Sequence, residues 1–263
     1  MQPVIVGDVV VQPLYDGTAV LTTDMFFGSD WTEHRHLLAD DGTLVVPVGG
    51  FLVRLGEHLV LLDAGVGDVH DTMFDGGRML ESLHAVGVRE ADIDTIVVSH
   101  LHSDHMGWLE RDGAITFPNA TIHVGAADWR FFVDEQANGK RRAERLRVVQ
   151  EHVSLIHHDG TAILPGLVTR ATPGHTPGHT STVITSGAER LIVLGDALHC
   201  PAQLTETEWE FLYDEDRALA ARTRQALVRE GEQTGTMLLP CHFPGMTFAR
   251  LLPMQGVRRW SIG

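Results

Sequence analysis

Asp94-Thr95-Ile96-Val97-Val98-Ser99-His100-Leu101-His102-Ser103-Asp104-His105 decides how this chain is read. Asp94 to Ser99 reads as a buried strand that ends in a turn. The next six residues carry three imidazoles and one carboxylate. Imidazole is the commonest protein ligand for divalent transition metals, and carboxylate is its usual oxygen partner. Ligands two apart at a strand end, such as His100 and His102, can converge on one point. Asp104 and His105 follow where the chain should turn into a helix, so they face a second point nearby. A His-x-His-x-Asp-His pattern at a strand end sits where α/β proteins build their sites.

Size and composition bound the rest. The 263 residues suit one α/β unit over 1–263, with a sizeable core. The hydrophobic share of 43% and charged share of 21% are those of an ordinary globular chain. A net charge of −15 opposes binding to nucleic acid or an anionic membrane. The one basic cluster, Arg141, Arg142, Arg145 and Arg147, reads as a solvated helix face. No secretory signal or membrane-spanning run is visible, since Pro47, Arg54, Glu57 and His58 break the longest apolar region. Two cysteines, Cys200 and Cys241, make no disulfide framework and fit small buried filler. A cytoplasmic location is the expectation.

The chain then divides by period. Val9 to Val11 and Thr18 to Thr22 read as strands around an Asp16-Gly17 turn. Phe51 to Leu55 and His58 to Leu62 read as a hairpin over Gly56-Glu57. Residues 77–87, 126–134, 141–152 and 216–232 read as helices. Residues 168–172, 180–185, 190–194 and 237–239 return to strand. Residues 24–40 form a long connection rich in aromatics, a common setting for function. The whole predicts mixed sheets covered by helices.

Further metal-ligand candidates should also stand at strand ends, and three places qualify. Thr172-Pro173-Gly174-His175-Thr176-Pro177-Gly178-His179 links two strands. Gly195-Asp196 follows the apolar strand 191–194. His242 follows the strand 237–239 and Pro240-Cys241.

With these residues in order, the chain resembles the metallo-β-lactamase-fold superfamily of hydrolases. The matching elements are Leu62-Asp63-Ala64-Gly65, His100 to His105, Pro173 to His179, Gly195-Asp196 and His242. The resemblance implies a four-layer αβ/βα sandwich of two mixed β-sheets flanked by helices. It also implies two metals about 3.5–4 Å apart. His100, His102 and His179 would bind the first, and Asp104, His105 and His242 the second. Asp196 would bridge them. His175 is left to orient its loop, and Asp63 to hydrogen-bond behind the ligands. Nitrogen and carboxylate ligands suit zinc, with manganese, cobalt and iron also compatible.

The resemblance further implies a hydroxide between the metals that attacks an ester or lactone carbonyl. Asp104 would orient that nucleophile or pass its proton. His199, three residues after Asp196, stands where relatives that open acyl-homoserine lactones carry Tyr and methyl-parathion-hydrolase-like relatives carry His. It would donate a hydrogen bond to a substrate oxygen. Phe26, Phe27, Trp31, Trp108, Phe243 and Met246 are the expected apolar walls. The leading expectation is a lactone or ester hydrolase of the N-acyl-homoserine lactonase type, acting on a small molecule. Phosphotriester hydrolysis is the alternative. An iron-dependent thiol or persulfide dioxygenase ranks below both. Diiron relatives typically carry Glu at the position of His102, which disfavours their oxygen-reducing chemistry. A homodimer is an expectation carried by the resemblance alone.

Overall fold

The computed structural model describes residues 1–136, 139–234, 236–252 and 259–262. Its first large sheet runs, in spatial order, Val4–Val6 (β1), Val9–Leu21 (β2), Leu44–Leu55 (β3), His58–Leu62 (β4), Thr95–Val98 (β5), Thr121–Gly125 (β6) and Val153–Ile156 (β7). The short strand Phe74–Asp75 pairs with β2 at the side. β1 to β4 pair antiparallel, and β4 to β7 pair parallel. The second sheet runs Ala162–Leu164 (β8), Leu167–Ala171 (β9), Thr180–Ser186 (β10), Glu189–Gly195 (β11), Met237–Pro240 (β12), Ala249–Leu252 (β13) and Arg259–Ile262 (β14). Only β11 and β12 are parallel there.

Alternation along these strands stacks the layers. Val60 and Leu62 of β4 and Val97 of β5 pack with Leu191 and Val193 of β11 and with Leu239 of β12, filling the space between the sheets. Their neighbours Leu61, Ile96 and Val98 face the other way, toward Met79, Leu80 and Leu83 of helix Met79–Ala85 (α1). On the second sheet Ile192, Leu194 and Leu238 turn outward onto Leu227 and Val228 of a long helix. Each of these side chains, once buried, contributes roughly 1.5–3 kcal/mol. The result is helix, sheet, sheet, helix, the expected four-layer sandwich. No helix among the described residues is long and apolar enough to cross a membrane.

Helix Ser103–Met106 (α2) is the single turn expected after the histidines. The helix expected over 126–134 begins as Ala126–Trp129 (α3) and widens into a π-helical turn over Arg130–Asp134. Lys140–Val148 (α4) and Arg217–Thr234 (α5) are the remaining α-helices among the described residues.

One expectation fails instructively. Asp16-Gly17 is no hairpin turn, because β2 continues through it with a bulge opposite β3. The Asp16 carboxylate is buried and accepts hydrogen bonds from the backbone N–H groups of Val66, Gly67, Gly77 and Met79 and from Trp108 Nε1. Those donors come from loops far along the chain, so nothing local in the sequence announces them.

Candidate active site

Parallel pairing brings the ends of β4 and β5 to one edge, and those of β11 and β12 likewise. Each strand end delivers a polar residue there: Asp63 after β4, His100 after β5, Asp196 after β11 and His242 after β12. The Pro/Gly loop between β9 and β10 adds His175 and His179. Asp63 holds a left-handed backbone, φ 60°, a conformation that costs about 1–3 kcal/mol. Its carboxylate accepts from the Ser99 N–H at 2.7 Å and the Ser99 hydroxyl at 2.9 Å, and it lies 2.9 Å from His105 Nδ1. These bonds offset the strain and fix the His105 ring.

Two groups of ligand atoms result. In the first, His175 Nε2 lies 3.2 Å from His100 Nε2 and 2.9 Å from His102 Nδ1. In the second, Asp196 Oδ1 lies 3.2 Å from His105 Nε2 and 3.1 Å from His242 Nε2. Asp104 Oδ2 stands 3.6 Å from both of those nitrogens. The other Asp196 oxygen faces the first group, 3.5 Å from His175 Nε2 and 3.9 Å from His100 Nε2. One carboxylate thus presents one oxygen to each group.

Four imidazoles are steadied through their second nitrogen. His105 uses Asp63, His175 uses Asp214 at 2.9 Å, His242 uses the Pro47 carbonyl at 2.9 Å, and His100 uses the Ser99 hydroxyl at 3.0 Å. Each is left with one nitrogen facing its group, the arrangement that orients metal-binding histidines.

The electrostatics separate the groups. Burial holds His100 and His102 well below the usual imidazole range, with neighbouring imidazoles adding to the effect. They are neutral and have lone pairs to offer. Burial also presses on His105 and His242, but carboxylates outweigh it: Asp196, Asp63 and Asp104 at His105, and Asp196 and Asp104 at His242. His105 ends well above its ordinary value and His242 at about 9. Burial would raise Asp196, yet His242 and His105 hold it well below the carboxylate range. The second group therefore calls for positive charge among its carboxylates. His105 Nε2 and Asp196 Oδ1 are buried with no hydrogen-bond partner. Orphaned atoms of this kind are costly unless something else binds them.

The ligand assignment in the Pro/Gly loop needs correction. His179 was the expected ligand and His175 the loop-orienting residue, but it is His175 that stands with His100 and His102. His179 Nε2 accepts the Asp196 backbone N–H at 3.0 Å, and its Nδ1 pairs with the Thr172 hydroxyl at 2.8 Å. Both nitrogens are engaged, so His179 braces Asp196 from behind. Gly195 makes the approach possible, since a Cβ there would lie 2.7 Å from His179 Nε2. The two histidines share one loop, and their tertiary partners, Asp214 for His175 and Thr172 for His179, tell them apart.

The walls need correction too. A cavity of about 440 Å³ opens over both groups. Its apolar side is built by Leu21, Val46, Phe74, Phe211, Leu212 and Tyr213. Phe26, Phe27, Trp31, Trp108, Phe243 and Met246 are not among its lining residues. Phe26 and Trp31 pack behind Phe211 in an aromatic cluster. Phe27 lies under the Arg217 guanidinium at 4.1 Å. Trp108 is committed to Asp16, Phe243 to the α5 layer and Met246 to the space between the sheets.

His199 does line the cavity. Its ring stacks on Phe211 at 3.9 Å between centroids, and burial lowers its pKa to about 3. Two residues absent from the expected site support it. Asp214 accepts from His175 Nδ1. Arg224, wholly buried on α5, donates to the carbonyls of Ala197, Thr207 and Trp209 and lies 3.5 Å from Asp214. A cation on the buried stripe Ala220, Arg224, Leu227 is the sequence signal that would have pointed to it.

Comparison with known proteins agrees with this picture. The metallo-beta-lactamase superfamily profile matches residues 44–242. N-acyl homoserine lactonase from Bacillus cereus is 26% identical over 213 residues, covering 73% of this chain and 81% of its own. N-acyl homoserine lactonase AttM from Rhizobium radiobacter is 32% identical over 133 residues, covering 46% and 47%. Among solved structures, AidC, a dizinc quorum-quenching lactonase, shares the fold at a TM-score of 0.85. Its identity is 24%, with 99% of this chain and 96% of that one covered. The profile spans every ligand candidate from Asp63 to His242, and this chain belongs to the metallo-beta-lactamase superfamily of hydrolases.

Proposed function

We propose that the protein is a dinuclear zinc hydrolase that opens lactones of the N-acyl-homoserine class. The observation that carries this reading is the divided Asp196 carboxylate, with one oxygen toward each group of ligand atoms. His100, His102 and His175 would hold one ion, Asp104, His105 and His242 the other, and Asp196 would join them. The donor set is nitrogen and oxygen without thiolate, which zinc accepts. The orphaned His105 Nε2 and Asp196 Oδ1 fit a bound cation. Once bound, zinc supplies Lewis acidity and brings the pKa of a bound water to about 7.

The chain's own residues do the rest. Asp104 stands at the cavity floor, where it can accept a proton and return it to the leaving oxygen. His199 is neutral, and its Nε2 faces the site, 3.8 Å from Asp196 Oδ2, where it can donate to a substrate oxygen. Phe74, Phe211 and Leu21 offer an apolar channel for an acyl chain. The relatives named as N-acyl homoserine lactonases support the same substrate class.

The test is a panel of N-acyl homoserine lactones, aryl esters and aryl phosphotriesters on protein whose metal content is measured. About two zinc per chain, with the highest kcat/KM on lactones, is the expected result. A tenfold preference for phosphotriesters would replace the substrate class. One iron per chain with thiol-dependent oxygen uptake would overturn the reaction type.

Asp63→Asn offers a finer check. Asparagine tolerates the left-handed backbone, but it removes the charge behind His105 Nδ1. Zinc affinity should fall about 10–100-fold by chelator competition. An unchanged affinity would deny Asp63 its role.

A further inference from the structure

We infer that Arg142 forms a substrate subsite, where its guanidinium donates to a neutral carbonyl oxygen, such as an amide, beside the scissile ester. This rests on the hydrolase reading above and assigns the residue that recognises the acyl amide of that substrate class. Arg145 and Arg147, in the same basic run, are consumed by structure. Arg145 binds Glu110 and the Gly107 carbonyl, and Arg147 binds the Val133 carbonyl. Arg142 instead turns inward and lines the cavity beside His102 and Asp104. Its guanidinium carbon lies 5.0 Å from the centre of the Phe132 ring. Phe132 is wholly buried and also packs on the His102 ring at 5.6 Å. The cation is thus held in place by a fixed aromatic face.

The decisive observation is that Arg142 Nη1 is buried with no hydrogen-bond partner. No protein group anchors that donor, so a small turn of the guanidinium toward the cavity would give it a partner in a ligand. Arg142 borders the cavity together with His102 of the first set and Asp104 of the second, and the apolar Phe74 and Phe211 border it as well. A molecule with its ester over Asp196 and its chain along Phe74 and Phe211 leaves one more position to fill, at Arg142. Charge selects what fills it. Asp214 and Glu215, outside the ligand set, also line the cavity, so an anion would meet carboxylates there. A neutral carbonyl takes the N–H donors without that opposition.

The test compares two lactones of equal length on the zinc-loaded enzyme, one bearing an amide carbonyl next to the ring and one a plain alkyl chain. In Arg142→Met the ratio of their kcat/KM values should fall about 10–100-fold against the amide-bearing substrate. Arg142→Lys should recover part of the ratio, because a lysine keeps charge without the planar fork. A ratio that stays within about two-fold in Arg142→Met would overturn the proposal. Calorimetric binding of the two corresponding lactams, which resist opening, provides a readout independent of turnover. The amide-bearing lactam should bind about tenfold more weakly relative to its plain partner in Arg142→Met. If the wild type opens neither lactone, the hydrolase reading fails, and this binding ratio decides the role of Arg142 by itself.

Discussion

Asp196→Asn is expected to lower metal content from about two ions per chain to one or none and hydrolysis by at least about 1,000-fold. Its carboxylate is the only group in the cavity with one oxygen toward each set of ligands. Asparagine has the same shape but one oxygen and one amide donor, so it can serve one side at most. The negative charge that His105 and His242 face is lost with it. A metal pair supplies several kcal/mol of transition-state stabilisation, and about 1.4 kcal/mol corresponds to each tenfold in rate. Plasma emission analysis and lactone turnover measure the two effects, with circular dichroism to show that the fold persists. Two ions and near-native turnover in the variant would remove Asp196 from the centre of the chemistry.

The second large effect separates the histidines of the Pro/Gly loop. His175→Ala should lose at least one metal ion and about 1,000-fold in turnover, because its Nε2 faces His100 and His102. His179→Ala should keep both ions. Its loss strands the Asp196 backbone N–H in the core, a cost of about 1–3 kcal/mol that turnover and thermal stability share. The opposite pattern, with His179→Ala stripping metal and His175→Ala retaining it, would restore the ligand set first read from the sequence.

That reversal shows where the sequence was legible. Period gave mixed sheets covered by helices, and the four layers came from the family resemblance; the structure shows why, with Val60 and Leu62 facing one core and Leu61 the other. The ligand clusters followed from spacing, since His100 to His105 and Gly195-Asp196 are local patterns at strand ends. The choice between His175 and His179 did not, because it depends on Asp214 and Thr172, which reach them through tertiary structure. The wall residues failed for a related reason. Hydrophobicity marks what will be buried, but not whether it faces a cavity or the layer behind one. Phe26 and Phe211 touch each other, and only Phe211 borders the open space. Arg142 was legible as a charge, while its inward aim depends on how α4 sits against Phe132.

The buried Arg224 has a consequence for how this enzyme can change. It grips Thr207 and Trp209 at one end of a segment and Asp214 at the other. Between those clamps lie Leu212 and Tyr213, about 40% exposed and facing the cavity. The frame is therefore fixed and its panel interchangeable. Substitutions at these two positions can reshape what enters without disturbing the histidine that Asp214 holds. New substrates could be acquired there one residue at a time, while the catalytic floor stays as it is.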